Sequence, residues 1–393
     1  MISFADILAP ITPDNFFTEY QGRRWLHVPN RPRPDALGRD KFSDVMTRAK
    51  LDGLVATIGL WNAQSLQMAR DSAMVSARDY CDGEGKPDAQ KVKALLENGA
   101  SLVLNDIDLQ APGLTGVSAV ARALEETLEA KAQANLYSSP RERQAFATHY
   151  DSHDVYAVHV EGEKLWRIYE GRANLPIEHP AFKSQTPEEN VRAKGEVIAE
   201  VLMKPGDLLY LPRGQYHDAL ARSERTTHIA FGVVSVIGMD VVSALYARAV
   251  EDVLFRADMP RRHGAGPNTG QAAFDERVAA LGRRLAELAT APDVIEALHK
   301  FQDDYRYRSK APPMRYHPTS RDFAVVSQGG RWALARAGKG VPIPPGQDRA
   351  VAWILDREFF VEDDLAKSFP AIDPESRGEL LRSLLAMKVI AAG

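Results

Sequence analysis

The sequence predicts a mainly β core of the jelly-roll or similar double-sheet type, followed by helices and a small mixed C-terminal unit. Between residues 133 and 235, short runs of β-forming residues alternate with turns that contain Gly and Pro, as in double-sheet barrels. From residue 239 onward, apolar residues recur at helical spacing. The 393 residues are enough for two or three domains. We expect domains over residues 1–238, 239–304 and 305–393.

Composition and charge restrict the class of protein. The chain is 45% hydrophobic and 26% charged, as globular domains are, and its net charge of −4 does not favour general binding to polyanions. Cys81 is the single cysteine, which excludes an intrachain disulfide and a thiolate zinc cluster and indicates a reducing compartment. A metal ion would therefore need His, Asp or Glu ligands.

The N-terminal residues do not resemble a targeting signal. Acidic residues and prolines interrupt them early, and no run of 18 apolar residues occurs anywhere in the chain. The sequence therefore predicts a cytoplasmic protein with no membrane partner.

The elements of the first domain follow from local patterns. A helix is predicted over residues 88–99, with Asp88 as its N-cap and Gly99 at its end, and an amphipathic helix over residues 116–132. A hairpin turn at residues 161–163 is predicted to join two strands. The β-forming runs cover residues 134–137, 144–151, 155–160, 164–169, 196–203, 208–211 and 228–235.

Two further units are predicted beyond residue 238. Helices over residues 240–257 and 274–289 must bury an apolar stripe, either as a cap on the core or as a dimerisation layer. After a linker at residues 305–313, a strand around Trp332 and three short helices resemble a winged helix. From residue 349 onward this unit has six Lys/Arg against eight Asp/Glu, so we expect it to contact protein and not DNA.

The residues most informative about chemistry lie in the predicted run over residues 144–151. On a strand, residues i and i+2 project from the same face, which places His149 beside Asp151. An imidazole and a carboxylate are two thirds of the facial triad that binds non-haem Fe(II). His217 follows the sequence Pro-Gly-Asp and a predicted strand, and is the candidate for the third ligand.

Such a triad leaves coordination positions open for a bidentate 2-oxo acid and dioxygen. A 2-oxoglutarate co-substrate also needs a cation for its distal carboxylate. Lys164 begins the next predicted strand, and an inward lysine is costly unless an anion meets it. The sequence therefore predicts Lys164 as the anchor for that carboxylate.

These motifs resemble the JmjC-type ribosomal oxygenase family, also called the cupin-4 group. The matching stretches are residues 149–155, 162–169 and 205–217. The resemblance implies a double-stranded β-helix core, which is a JmjC or cupin jelly roll with flanking helices, together with a helical dimerisation region and a C-terminal winged helix. It also implies that the chain forms a homodimer.

The resemblance also implies the roles of individual residues. His149, Asp151 and His217 would bind Fe(II), and Lys164 would bind 2-oxoglutarate. Asn135 and Tyr137 match the family's Asn-x-Tyr segment, which lines the active site near co-substrate and substrate. No catalytic residue beyond the metal ligands is predicted. From its position in a strand, His228 is a candidate substrate contact, with a satisfied histidine inside the barrel as the default interpretation.

The predicted function is hydroxylation of a protein side chain by an oxygenase that uses Fe(II), 2-oxoglutarate and O2. The family implies an Arg or His side chain of a ribosomal protein as substrate. Three alternatives stay open. They are the same chemistry on a small molecule or a non-ribosomal peptide, a JmjC-type demethylase of N-methyl-lysine, and a non-catalytic cupin that binds partners through its winged helix.

Overall fold

A computed structural model describes residues 2–30, 42, 45–56, 58, 65–70, 73–83, 85–111, 114–140, 147–182, 186–305, 315–328 and 331–392. These residues form two compact units. The first contains residues up to 124, residues 132–233 and the C-terminal segment from residue 309, and the second contains residues 125–131 and 234–308. The predicted linker at residues 305–313 lies almost wholly outside the described residues.

The elements of the described chain are numbered in chain order. The strands are β1 Leu26–Val28, β2 Leu66–Arg70, β3 Ala73–Met74, β4 Ser101–Leu104, β5 Ala130–Pro140, β6 Asp154–Glu161, β7 Lys164–Arg172, β8 Val197–Met203, β9 Leu208–Leu211, β10 Gln215–Ala221, β11 Arg225–Ser235, β12 Arg315–Pro318, β13 Ala324–Gln328, β14 Arg331–Arg336, β15 Lys339–Pro342, β16 Phe360–Val361 and β17 Ile390–Ala392. The helices are α1 Phe4–Leu8, α2 Pro13–Glu19, α3 Arg48–Ala56, α4 Ala77–Tyr80, α5 Ala89–Glu97, α6 Ile107–Gln110, α7 Thr115–Leu128, α8 Pro187–Lys194, α9 Gly238–Glu251, α10 Val253–Arg256, α11 Gln271–Ala289, α12 Pro292–Tyr305, α13 Asp348–Leu355, α14 Glu362–Ser368 and α15 Pro374–Ala386.

The predicted double-sheet core is confirmed. One sheet has the strand order β1-β9-β6-β11-β5-β4-β2-β3, and a smaller sheet has the order β10-β7-β8. Inward side chains of β6 and β9 share one buried cluster with those of β7 and β8, so the two sheets pack face to face. Buried and partly buried residues alternate along β5, because one face of this strand packs against a core.

The predicted hairpin at residues 161–163 is wrong in its pairing. The turn is present, with Gly162 at a φ of 70°. However, β6 pairs with β9 and β11, whereas β7 pairs with β8 and β10, so the chain crosses here from one sheet to the other. A Cβ atom on Gly162 would lie 2.1 Å from the carbonyl oxygen of Arg225, which explains the glycine at this crossing.

The start of α5 and the end of α7 each have a local cause. Helix α5 begins after Asp88, whose carboxylate accepts hydrogen bonds from the backbone N–H groups of Gln90 and Lys91, as predicted. Helix α7 ends at Leu128 instead of residue 132, because Glu129 has a φ of 50° and the next residues enter β5.

The second unit contains α9 to α12. The predicted helix over residues 240–257 is interrupted at Asp252, whose carboxylate caps α10 by accepting from the backbone N–H of Leu254. Leu245 and Ala249 of α9 are buried. No helix of the described residues is long and apolar enough to cross a membrane.

The C-terminal segment has its own apolar cluster. Sheets of the order β16-β12-β17 and β13-β14-β15 accompany α13, α14 and α15, which are the three helices expected from the sequence. The cluster is built around buried residues such as Phe360, Ile354 and Leu384. Its assignment as a winged helix stays an interpretation of the sequence.

Candidate metal centre

Two of the candidate ligands, His149 and His217, are joined through their backbones. His217 lies in β10, and His149 pairs with it in an isolated antiparallel bridge. The His149 N–H donates to the His217 carbonyl at 3.1 Å, and the reverse hydrogen bond measures 2.9 Å. The predicted strand over residues 144–151 is not formed by its described residues, which make only this bridge. Residues 144–146 lie outside the described part of the chain.

Both imidazoles have a defined tautomer. His149 Nδ1 lies 2.8 Å from the Ala147 carbonyl oxygen, and His217 Nδ1 lies 2.9 Å from the Gln215 carbonyl oxygen. A carbonyl can only accept, so each Nδ1 carries the proton and each Nε2 keeps its lone pair in the neutral ring. Backbone contacts of this kind are how proteins orient metal-binding imidazoles.

Asp151 completes the group. Ligand atoms of His149, Asp151 and His217 all lie within 4.8 Å of one another, and His217 Nε2 is 3.6 Å from Asp151 Oδ2. Burial alone would raise the pKa of Asp151, but the imidazoles of His149, His217 and His153 together lower it below its usual value. Burial, followed by the neighbouring His149, lowers the pKa of His217 to about 4. The carboxylate and the neutral imidazole are the forms that bind a metal ion.

Lys164 lies at the same cavity, at the start of β7. Its side chain is buried, and its Nζ lies 3.5 Å from Nδ1 of His228. No carboxylate in the described part of the chain forms an ion pair with this ammonium group. Burial lowers the pKa of Lys164 to about 8, so the group is still largely protonated at neutral pH. A buried cation without an anionic partner indicates a site for an anionic ligand.

His228 is a neighbour of the lysine and of the predicted Asn-x-Tyr segment. Its ring stacks on Tyr137 with centroids 4.9 Å apart, and it meets Trp166 edge-on at 5.3 Å. Burial, with Lys164 next, lowers the pKa of His228 well below its ordinary value, so the ring is neutral. An ammonium group only donates, so Nδ1 of His228 is the acceptor in this contact.

The predicted Asn-x-Tyr residues reach the cavity as well. Asn135 accepts a hydrogen bond at Oδ1 from the backbone N–H of Asp106, at 3.0 Å. Burial, followed by the charge of Asp151, raises the pKa of Tyr137, which therefore stays a neutral phenol. Their contacts with co-substrate or substrate stay predictions.

The cavity has a volume of about 260 Å3 and brings all the predicted site residues together. It is lined by Asn135, Tyr137, His149, Asp151, His153, Val155, Lys164, Trp166, His217, Ala219, His228, Ala230 and Gly232.

Trp166 and Gly232 are two of the lining residues that were not predicted as site residues from the sequence. Trp166 lines the cavity and stacks on His217 with centroids 5.6 Å apart. Its position two residues after Lys164 on a strand was the available signal. Gly232 had no sequence signal, but a Cβ atom there would lie 2.7 Å from the His153 ring. The glycine therefore makes room for that imidazole beside Asp151.

Comparison with known families identifies the domain that holds this centre. Residues 117–240 match the family model described as JmjC domain. This part of the chain is therefore similar to JmjC domains, which agrees with the resemblance inferred from the sequence motifs. The matched residues include β5 to β11, and hence the triad and Lys164.

Curated relatives of the chain include ribosomal oxygenases. Ribosomal oxygenase 1 of Homo sapiens is 28% identical over 346 residues, which cover 83% of this chain and 50% of that protein. The protein of that name in Rattus norvegicus is 27% identical over 346 residues, with 83% and 54% covered. The bifunctional lysine-specific demethylase and histidyl-hydroxylase NO66 of Drosophila persimilis is 29% identical over 227 residues, covering 58% of this chain and 30% of that protein. The chain spans about half the length of the ribosomal oxygenases it matches.

Solved structures with a similar chain include the Escherichia coli ribosomal oxygenase YcfD. One such structure aligns over 98% of both chains with 15% identity and a TM-score of 0.47. Another, in complex with cobalt and 2-oxoglutarate, aligns over 98% of both chains with 14% identity and a TM-score of 0.47.

Proposed function

We propose that this protein is an Fe(II)- and 2-oxoglutarate-dependent oxygenase that hydroxylates a protein side chain. The observation that carries the proposal is the shared cavity. It joins two imidazoles with oriented Nε2 atoms, one carboxylate, and a buried lysine that has no anionic partner among the described residues. Two His and one carboxylate on one side of a metal are the ligands of non-haem Fe(II) oxygenases.

The donor set fits the proposed metal. His149, Asp151 and His217 would hold Fe(II), and Lys164 would bind the distal carboxylate of 2-oxoglutarate through its ammonium group. When bound, the iron supplies the activation of dioxygen that the protein's side chains cannot perform. The chain itself orients the co-substrate and excludes water through the apolar lining residues Trp166, Val155 and Ala230.

The proposed substrate is an Arg or His side chain of a ribosomal protein. Relatives named ribosomal oxygenase support this substrate class. The name of the NO66 relatives, which includes lysine-specific demethylase, favours removal of an N-methyl group as the second candidate function. Both reactions use the same metal and co-substrate, and they differ in the C–H bond that the substrate presents.

Mass spectrometry of ribosomal proteins from cells with and without the gene would test this function. We expect one ribosomal protein to lack the mass of one oxygen atom when the gene is deleted, and purified enzyme with Fe(II) and 2-oxoglutarate to restore it. Enzyme with Asp151→Asn is the matched control. Loss of a methyl group from a lysine peptide would instead support demethylation. If neither change occurs on any ribosomal protein, the proposed substrate class is wrong.

We also propose that the chain forms a homodimer through α9 and α10. Helix α9 exposes a stripe of apolar side chains at helical spacing, in which Tyr246 is 73% exposed, and Val253 at the start of α10 is 69% exposed. Met239, Val242 and Val250 continue the stripe, whereas Leu245 and Ala249 form the buried face of α9. An apolar stripe of this kind is typical of a surface that a second copy covers.

Light scattering of Tyr246→Glu and Val250→Glu variants tests the dimer. Each carboxylate would be buried without a partner in the interface, so we expect the dimeric mass of the wild type to fall to the monomeric mass. Ala247→Glu is the control, because Ala247 is exposed on the same helix but lies outside the stripe. A monomeric wild type, or variants that remain dimeric, would contradict this interface.

A further inference from the structure

Asp218 is a buried carboxylate next to a candidate metal ligand. It follows His217 in β10, and only 1% of its surface is exposed. Three side chains donate hydrogen bonds to it. These are the Tyr169 hydroxyl at 2.6 Å, Nε of Arg167 at 2.8 Å and the Thr148 hydroxyl at 2.9 Å.

The three donors come from two different parts of the domain. Arg167 and Tyr169 belong to β7, where Arg167 lies directly opposite Asp218 in the β-ladder. Thr148 instead immediately precedes His149. The Asp218 carboxylate therefore ties the segment that carries His149 to the sheet that carries His217.

The hydrogen bond to Asp218 is important because the segment that carries His149 has little regular structure. Its described residues 147–153 form no strand, and the isolated bridge between His149 and His217 is their contact with β10 in the sheet pattern. The two backbone hydrogen bonds of this bridge hold the main chains of the two ligands together. The hydrogen bond from Thr148 to Asp218 reinforces the bridge, since it joins the residue before one ligand to the residue after the other.

We propose that Asp218 is a positioning residue that holds His149 in place relative to His217 and so sets the affinity for the divalent metal. The inference rests on the proposed function, because it assumes a metal ion at the triad. Partners outside the ligand set typically change metal affinity by about 10–100-fold when they are removed.

Titration of metal-free protein with Co(II), followed by visible absorbance, tests this role directly. For Asp218→Asn we expect a roughly 10–100-fold weaker dissociation constant and an altered Co(II) spectrum. The control is Asp207→Asn, which removes another buried carboxylate that accepts several hydrogen bonds, from His27, Asn30 and Lys204. A merely structural role would lower the thermal stability of both variants and leave their Co(II) affinities equal to that of the wild type.

A milder pair of variants covers the case in which Asp218→Asn does not fold. Thr148→Val keeps the shape of the side chain and removes the donor, so Co(II) affinity should fall, whereas Thr148→Ser keeps the hydroxyl and should retain it. Equal affinities for these two variants, or wild-type affinity in folded Asp218→Asn, would overturn the role of Asp218. A wild type that binds no Co(II) would overturn the proposed function and this inference together.

Discussion

Replacing Asp151 by Asn is expected to abolish stoichiometric binding of Fe(II) and Co(II). The substitution keeps the shape of the side chain but removes the anionic donor from a group whose ligand atoms lie within 4.8 Å of one another. The two imidazoles that remain are neutral ligands. We expect the loss of affinity to exceed the roughly 100-fold change that follows removal of a partner outside the ligand set.

Isothermal titration of metal-free protein with Co(II) would measure this effect. Ser152→Ala is the matched control, because Ser152 is the next residue and its hydroxyl donates to Glu178 and not to the triad. Circular dichroism would establish that both variants are folded. Wild-type Co(II) affinity in folded Asp151→Asn would exclude this carboxylate as a ligand.

The second large effect is expected at Lys164. In Lys164→Met the distal carboxylate of 2-oxoglutarate would enter a buried pocket without its cation. Removing one partner of a buried ion pair costs about 3–5 kcal/mol, which corresponds to a loss of co-substrate affinity of roughly 100-fold or more. Metal binding should remain close to that of the wild type, because Lys164 is not a candidate ligand.

The pH dependence gives this prediction a second readout. Burial lowers the pKa of Lys164 to about 8, so the ammonium group is present below that pH and is lost above it. Affinity for 2-oxoglutarate should therefore be constant below about pH 8 and fall as the pH rises further. Lys164→Met should show no such step.

Lys204→Met is the control for Lys164→Met, because the Lys204 side chain is 59% exposed and pairs with Glu163 at the surface. Equilibrium binding of 2-oxoglutarate to the metal-loaded protein would be measured for all three proteins. Equal affinity in the wild type and Lys164→Met would reject the lysine as the anchor.

Local sequence patterns predicted the candidate site because its residues are tied to short-range features. The spacing of His149 and Asp151, the Pro-Gly-Asp turn before His217 and the strand start at Lys164 are each visible within a few residues. The structure brings these residues to one cavity. The positions of most helices and strands followed for the same reason, as the cap at Asp88 shows.

Features that depend on distant parts of the chain were not predictable in this way. Turn residues 161–163 indicate a reversal but not which sheet each strand joins, so the β6–β7 pairing was wrong. Asp218 has no local signature, since its partners Thr148 and Tyr169 lie 70 and 49 residues away. Trp166 was not predicted as a site residue, because an aromatic residue on a strand packs into a core as readily as it lines a cavity.

Anaerobic titration of the Fe(II)-loaded protein with 2-oxoglutarate tests the central claim most directly. If His149, Asp151 and His217 bind Fe(II) beside a site for a 2-oxo acid, a weak visible charge-transfer band should grow and saturate at one equivalent per chain. The band should be absent in Asp151→Asn, and in Lys164→Met it should require much more 2-oxoglutarate. A wild-type protein that shows no band at saturating 2-oxoglutarate would contradict the assignment of this cavity as an oxygenase site.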